Sequence, residues 1–522
     1  MENKMKLGFF FGAGAECSYG LPSGGKFAID IFKANVEEQK KEFKKSLNEI
    51  DERSPYARKW LPSGFAKKPV YAFGKSEFGS LLQSSIEYRS DDILENLAKF
   101  DKICEDLLKS NNVNIDDLKE GFKKVIGTNF GEFTYEESVK LNKILVRQAE
   151  NKNIFSSKYY SALLDLIEKS KNSRLKKYAS AILQLFVCVI GQKVIRDLNQ
   201  ELFEQNDTNL SIFDDMTTNF NMDFSRLGVT ILEIVLDNDV KEIDSTSTNH
   251  IHMLFENLFA LAIGKIFENC LDYRKLVDEH FRYLYTPRTQ WAKFTKMVIF
   301  LRTVRDYIVI KDHSQITGEG YYHDLAKFSP KVSISTIGTS NYNCILGYVA
   351  NKISLNIPEI LFLNGGVRYF YNPYKNLIIE HTNDENTLNK DGQLVVPFIM
   401  TQSGLKPLTS ISASQKYVSL FESYRNSDAI VCIGFGFNSD DAHINGVFRQ
   451  LVDDEKKHLF YVTNKMDADE VKDELKENMR IGEDAASRIH IVVVDANRQY
   501  NNQNWTEYVE SKVEKLLQNI KD

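Results

Sequence analysis

The residues best suited to chemistry follow a short apolar run near the start of the chain. Gly12, Ala13 and Gly14 come directly after residues 7–11, which read LGFFF. Because glycine has no Cβ, a ligand can approach its backbone closely, and a helix that starts after the turn would present free N–H groups to a phosphate. The pattern favours a nucleotide-binding strand-turn-helix, and an ordinary strand-to-turn transition is the equally weighted alternative.

Asparagine and glycine also follow apolar runs further along the chain. Asn341, Asn364, Gly434 and Asn464 each come after a run that is typical of a buried strand. In doubly wound α/β sheets, ligands bind beyond the carboxyl ends of the strands, so these positions predict one binding site. Turn-forming residues are also common at strand ends for purely structural reasons.

The apolar runs predict how these residues are held. Residues 31–329 have few strand signals, and residues 254–267 and 291–304 have the length and broad apolar face of helices. After residue 330 the β-rich runs are VSISTIG, ILFL, LIIE, LVVPFI, AIVCIGFGF, LFYV and IHIVVV. We therefore predict an α/β, Rossmann-like fold with a mostly parallel sheet, and a large helical insertion between its first and later strands. The predicted domains are 1–30 with 330–522, and an inserted domain at 31–329.

Composition excludes several classes of protein. The 522 residues are 43% hydrophobic and 26% charged with a net charge of −6, which is ordinary for a globular protein and argues against a nucleic-acid-binding surface. None of the six cysteines forms a C-x-x-C pair, so we expect no structural zinc, no metal and a reducing cytoplasm. We expect no secretory signal and no membrane span, since the most apolar segment, residues 178–190, is too short to cross a bilayer.

The ordered motifs resemble those of the sirtuin-like family. GAGAECSYGLP is similar to that family's Gly-Ala-Gly and Gly-Ile/Leu-Pro signature, TSNYN to its Thr-x-Asn-(Ile/Tyr)-Asp loop, and LNGG stands where the family has Leu-His-Gly. The TN after LFYV resembles its strand-ending Ile-Asn. SDAIVCIGFGFNSDDAHIN further resembles the NAD-consuming sirtuin-like effectors of bacterial antiphage defence. The match covers residues 1–30 and about 330–500, and leaves the helical region unaccounted for.

The resemblance implies an NAD site. Asn341 would hold the nicotinamide ribose and Asn464 the adenosine ribose, because an amide both donates to and accepts from a diol. The other cofactor-binding residues that the resemblance implies are Gly12, Ala13 and Gly14 at the pyrophosphate, Ser18 and Gly434 near the phosphates or ribose, and Pro22 in the Gly-Leu-Pro signature.

The chain departs from the family at the expected catalytic base. Asn364 stands in place of the family's histidine, and an amide cannot accept the proton that a base would take. Either another group substitutes, with His381 and His323 as candidates, or water attacks with positioning alone, or the protein binds NAD without cleaving it. The candidate catalytic residues are Asn341, Asn364 and His381.

The leading hypothesis from the sequence is an NAD hydrolase that releases nicotinamide and ADP-ribose as an antiphage defence effector. The alternative is a catalytically impaired module that binds NAD or a related nucleotide for sensing or scaffolding, and transfer of ADP-ribose to a macromolecule is a third reading. A deacetylase is disfavoured because the chain lacks paired cysteines for the zinc module that deacetylating sirtuins usually carry. The helical region predicts a homo-oligomer or a partner protein of the defence system.

Overall fold

The fold is known from a computed structural model. It describes 4–21, 24–137, 153–201, 227–236, 251–271, 276, 280–314, 318–380, 388–399, 410–438, 441–465 and 467–519. The predictions for Pro22 and His381 lie outside these residues.

A six-stranded, all-parallel sheet forms the centre of the fold, in the order β3-β2-β1-β7-β8-β9. Counted within this sheet alone, the order is 3-2-1-4-5-6, the arrangement found in dinucleotide-binding α/β domains. The α/β class and the parallel sheet are thus confirmed. The strands are β1 (Met5–Phe11), β2 (Val332–Thr339), β3 (Ile360–Phe362), β7 (Ala429–Ile433), β8 (Leu459–Thr463) and β9 (Ile489–Val493).

Strand β1 is apolar on both faces because both faces are covered. Phe9 and Phe11 pack in one hydrophobic cluster, and Phe10 packs in another on the opposite face. The Phe10 ring meets Phe435 and Phe448 edge-on, with centroids 5.1 and 5.2 Å away. Side chains alternate across a strand, so a continuous apolar run requires packing on both sides.

A second sheet was not foreseen. Three antiparallel strands form it in the order β5-β4-β6: β4 (Gly365–Asn372), β5 (Leu377–Glu380) and β6 (Val396–Ile399). The runs LIIE and LVVPFI therefore do not join the parallel sheet. The connection from β4 to β5 is short, and short connections join antiparallel neighbours because a parallel neighbour needs a long crossover.

Every described regular element between β1 and β2 is helical, but an inserted domain there remains a prediction. The α-helices of this region are α1 (Gly24–Lys33), α2 (Glu37–Glu49), α3 (Pro55–Trp60), α4 (Lys75–Tyr88), α5 (Ser90–Ala98), α6 (Phe100–Ser110), α7 (Ile115–Ile126), α8 (Lys158–Ser170), α9 (Ser173–Glu201), α10 (Leu227–Val235), α11 (Ile251–Cys270), α12 (Trp291–Ser314) and α13 (Tyr321–Asp324).

Helices also connect the later strands and close the chain. The last helix buries Trp505, Val509 and Val513 in the cluster that contains Phe9. Two short strands, β10 (Gln499–Tyr500) and β11 (Gln503–Asn504), precede it as a hairpin. The helices are α14 (Ile345–Lys352), α15 (Ile411–Arg425), α16 (Ala442–Asp453), α17 (Ala468–Met479), α18 (Glu483–Ala486) and α19 (Trp505–Asn519).

The chain divides into two compact units. The first comprises 1–22, 35–72 and 274–522 and contains all of the described strands. The second comprises 23–34 and 73–273 and is helical in its described part. Within the described ranges, none of the helices combines the length and apolarity needed to cross a bilayer.

Candidate active site

The sequence-predicted residues follow neighbouring strands at one edge of the parallel sheet. Asn364 comes after β3, Asn341 after β2, Gly12 after β1, Gly434 after β7 and Asn464 after β8. Neighbouring strands lie about 4.8 Å apart, so the edge from β3 to β8 is about 19 Å long. This order is the one in which an extended ligand would meet them.

The glycines after β1 and β7 allow two backbone loops to interlock. Gly12 and Gly14 donate their N–H groups to the carbonyls of Ile433 and Gly434, at 2.9 and 2.8 Å. Gly434 has a φ of +69°, and a Cβ there would lie 2.0 Å from the Ala15 nitrogen. Loop packing therefore requires glycine at this position before any ligand is considered.

The predicted helix after the glycine turn is a 3₁₀-helix, Ala13–Tyr19, that ends at Gly20 with a left-handed φ of 79°. Ser18 lies toward its far end. A Cβ on Gly320 would come within 2.3 Å of the Ser18 Oγ, so that hydroxyl packs close to the Gly320 backbone.

Asn341 ties the loop after β2 to the glycine loop. Its Nδ2 donates to the Gly12 carbonyl at 3.1 Å and lies 3.4 Å from the Tyr322 hydroxyl, and its own N–H donates to Thr339 Oγ1 at 3.0 Å. The side chain is buried. These bonds fix the amide at the sheet edge, and they also give Asn341 a structural role.

A buried carboxylate lies beneath this network. Glu16 is 3% exposed and accepts a hydrogen bond from the Tyr322 hydroxyl at 2.6 Å and another from Asn343 Nδ2 at 2.5 Å. Burial, reinforced by the Glu16 charge, holds the pKa of Tyr322 well above its ordinary value, so this phenol stays protonated and donates. Sequence reasoning missed Glu16, although an acidic residue inside a buried glycine turn is an available signal because fully buried acids are rare.

Asn364 contacts a histidine that is distant in sequence. Its Oδ1 lies 3.2 Å from His443 Nε2, and the His443 ring meets the Tyr417 ring edge-on at 5.9 Å between centroids. His443 lies at the start of α16 and was not among the residues that the sequence singled out. No local signal joins two residues that are 79 positions apart.

The loop with Asn364 is also tied to the loop with Asn341. Leu363 donates its N–H to the Thr339 carbonyl at 3.0 Å, and Val367 donates to the Tyr342 carbonyl at 2.8 Å. These two bonds flank both asparagines, so the loops form one structural unit.

Two further candidates, Asn464 and His323, are not part of the hydrogen-bond network around Asn341 and Asn364. Asn464 is exposed at the end of β8. His323 Nδ1 lies 3.1 Å from the Tyr19 hydroxyl and accepts the Gly320 N–H at 3.3 Å, and partial burial lowers the pKa of His323. These contacts indicate a structural role for His323 in bracing the 3₁₀-helix.

Comparison with protein-family models and with curated proteins finds no match to this chain. The described residues contain no group of three or more histidine, cysteine or acidic side chains that could hold a metal ion. Function must therefore be argued from the residues at the sheet edge.

The chemistry available in the described part of this edge is polar, and it includes the buried carboxyl groups of Glu16 and Asp441 and the imidazole of His443. Asparagine amides can donate to and accept from sugar hydroxyls. Glu16 supplies a buried carboxyl group, and a carboxylate that is shielded from water interacts strongly with nearby charge. His443 supplies a titratable imidazole, although it contacts Asn364 rather than Asn341.

Proposed function

We propose that this chain binds NAD and hydrolyses it to nicotinamide and ADP-ribose. The observation that carries the proposal is the row of Asn364, Asn341, Gly12, Gly434 and Asn464 along the carboxyl edge of a parallel sheet. Sheets with this strand order bind dinucleotides in the crevice at that edge. The motif resemblance independently supports NAD as the dinucleotide and a Rossmann-like NAD-binding domain with a helical insertion.

Each part of NAD has a candidate partner in this row. Gly12, Ala13 and Gly14 would face the pyrophosphate, Asn341 the nicotinamide ribose and Asn464 the adenosine ribose. Glycine permits the close approach of a phosphate, and the asparagine amides match the paired hydroxyls of a ribose.

Cleavage would depend on charge stabilisation. The bond from the ribose carbon to the nicotinamide nitrogen breaks, its electron pair leaves with nicotinamide, and the ribose carbon becomes positively charged until water adds and releases a proton. Glu16 is linked to Asn341 through the Tyr322 hydroxyl, so its negative charge lies near the proposed ribose site. A preorganised charge of this kind lowers the energy of a cationic transition state.

Purified protein incubated with NAD, alone and with lysate from infected cells, tests the proposal by chromatography of nicotinamide and ADP-ribose. We expect release that is lost in Asn341→Ala, while Asn351→Ala, a change at an exposed asparagine on α14, keeps it. Circular dichroism establishes that both variants are folded. Full activity in folded Asn341→Ala would refute the assignment of the site.

One observation favours the second candidate, a module that binds the nucleotide without cleaving it. The Asn364 side chain is an amide, and within the described residues its contact is the His443 ring rather than a carboxylate. Tight NAD binding without product, with or without the lysate, would support this function over hydrolysis.

We assign the hydrolase to antiphage defence because of the resemblance around residues 427–445, and a self-associated form or a partner protein stays part of that proposal. An NAD concentration that stays constant in infected cells expressing the chain would contradict this role.

A further inference from the structure

Asn364 has a buried amide donor that the described protein does not use. The side chain is 1% exposed, and its Nδ2 has no hydrogen-bond partner among the described residues. Buried amide donors in folded proteins almost always have a partner. A donor that is buried without one loses its hydrogen bonds to water and gains none in the protein. The donor therefore points to an acceptor atom that a ligand supplies.

His443 determines which end of the Asn364 amide is used. Its Nε2 lies 3.2 Å from Oδ1, so an Nε2–H donates to that oxygen and leaves Nδ2 on the other side. Both the neutral Nε2–H tautomer and the imidazolium can make this bond. His443 thus holds the amide in one orientation, with the Tyr417 ring against the imidazole.

The same donor is fixed beside the proposed ribose site. The hydrogen bonds from Leu363 to Thr339 and from Val367 to Tyr342 hold the loop with Asn364 against the loop with Asn341. In the proposed NAD site, the ligand groups at this end of the row would be sugar hydroxyls, whose oxygens accept hydrogen bonds.

We propose that Asn364 Nδ2 donates to a hydroxyl oxygen of the nicotinamide-side ribose, and that His443 is the positioning residue for this amide. The inference rests on the proposed NAD site. In this proposal Asn364 binds the ligand by donating a hydrogen bond through its amide. Asn364 does not have to accept a proton.

Asn364→Asp is the sharpest test, because it removes the donor and keeps an oxygen for His443. Titration calorimetry compares ADP-ribose, which contains the second ribose, with ADP, which lacks it. We expect the affinity for ADP-ribose to fall about tenfold or more beyond any loss of affinity for ADP. ADP also controls for the added negative charge, since both ligands contain the pyrophosphate. Equal loss for both ligands, or no loss for ADP-ribose, would overturn the proposal.

The wild-type protein provides a test that needs no variant. ADP-ribose analogues that lack the 2- or the 3-hydroxyl of the second ribose should include one that binds about tenfold more weakly than ADP-ribose. Unchanged affinity for both analogues contradicts the proposed hydrogen bond.

His443→Gln and His443→Leu separate positioning from proton transfer. Glutamine can still donate to Asn364 Oδ1, so its affinity for ADP-ribose should stay within about threefold of wild type, whereas leucine should lose about tenfold. If His443→Gln binds ADP-ribose normally but forms no nicotinamide at any pH, His443 accepts a proton and the positioning assignment is wrong.

Binding and cleavage are measured separately in this design. A wild-type protein that binds ADP-ribose but releases no nicotinamide refutes only the hydrolase, and the Asn364 inference still stands or falls by its own titrations. A wild-type protein that binds neither ADP-ribose nor NAD refutes both.

Discussion

Single residues at the sheet edge combine structural and chemical roles. Asn341 holds the glycine loop through Gly12, and Glu16 receives hydrogen bonds from both Tyr322 and Asn343. A buried acid with two donors is costly to place unless both bonds are made. Glu16 is therefore the residue at which the proposed chemistry and the stability of the site can be separated experimentally.

Glu16→Gln keeps the size of the side chain and removes its charge. In glutamine, an amide nitrogen replaces one carboxylate oxygen and cannot accept the hydrogen bond which that oxygen received. We therefore expect the free energy of unfolding to fall by about 1 kcal/mol. Nicotinamide release should fall about a hundredfold or more, because the transition state loses its counter-charge. Binding of ADP-ribose, which has no cationic ring, should be affected much less.

Glu507→Gln, a change at an exposed acid on α19, is the matched control and should leave release unchanged. If Glu16→Gln releases nicotinamide at the wild-type rate, the proposed role of the Glu16 charge is wrong.

At the level of elements, two loops that follow adjacent strands depend on each other. The loop after β7 places Gly434 against Gly14 and Ala15, at the point where a Cβ would overlap backbone atoms. Backbone atoms cannot move aside as a flexible side chain can. The two loops should therefore form or separate together.

Gly434→Ala and Gly20→Ala distinguish steric overlap from backbone strain. Both glycines have positive φ, but a Cβ on Gly20 would have no atom within 4 Å. Gly20→Ala should lower the free energy of unfolding by about 1 kcal/mol from strain alone. Gly434→Ala should cost more than about 3 kcal/mol and weaken ADP-ribose binding. Urea unfolding measures the difference, and equal costs for the two variants would contradict the interlocked arrangement.

At the scale of the whole molecule, we expect stability to depend on pH through two histidines near the β9 edge of the parallel sheet. His490 Nε2 lies 3.1 Å from His458 Nδ1, and the His490 ring stacks on Phe460 at 4.6 Å between centroids. Burial, with the nearby His458 as a lesser cause, lowers the pKa of His490 to about 4, and burial also lowers the pKa of His458. The positive charges of Lys512 and Lys472 lower the pKa of His490 further.

The sign of the pH dependence follows from these pKa values. The unfolded chain binds more protons than the folded one between the ordinary histidine pKa of about 6.5 and the folded value. Stability should therefore fall as the pH falls from 6.5 toward 4. Both rings are partly exposed, and solvent weakens the effect of the lowered pKa values on stability. We therefore expect acidification to lower the free energy of unfolding by about 1 kcal/mol through this pair.

Urea unfolding at pH 7.5 and pH 4.5 measures this dependence. Tryptophan fluorescence follows the first unit, because all three tryptophans, Trp60, Trp291 and Trp505, belong to it. His490→Phe can still stack on Phe460 and should lose less stability on acidification than the wild type. Parallel losses in the two proteins would show that this histidine pair is not responsible.

Much of the fold could be predicted because buried strands appear in the sequence as short apolar runs. The runs at β1, β7 and β8 are almost continuously apolar and buried, and these runs and those at β2, β3 and β9 each gave a strand of the parallel sheet. The runs LIIE and LVVPFI look the same in sequence but form antiparallel strands, because pairing direction depends on the connections and not on the composition of the strand. Strand β4, which is interrupted by polar residues and begins with two glycines, left no clear signal.

The sequence alone determined where strands end and which residues follow them, since hydrophobic runs and glycine or asparagine turns are local properties. The tertiary structure decided which of these ends are neighbours, and it brought Glu16 under Asn341 and His443 against Asn364. Hydrogen bonds between such distant residues depend on how the chain returns to the sheet edge, and no local pattern encodes that return. The orphaned amide of Asn364 is visible only once the surrounding atoms are in place.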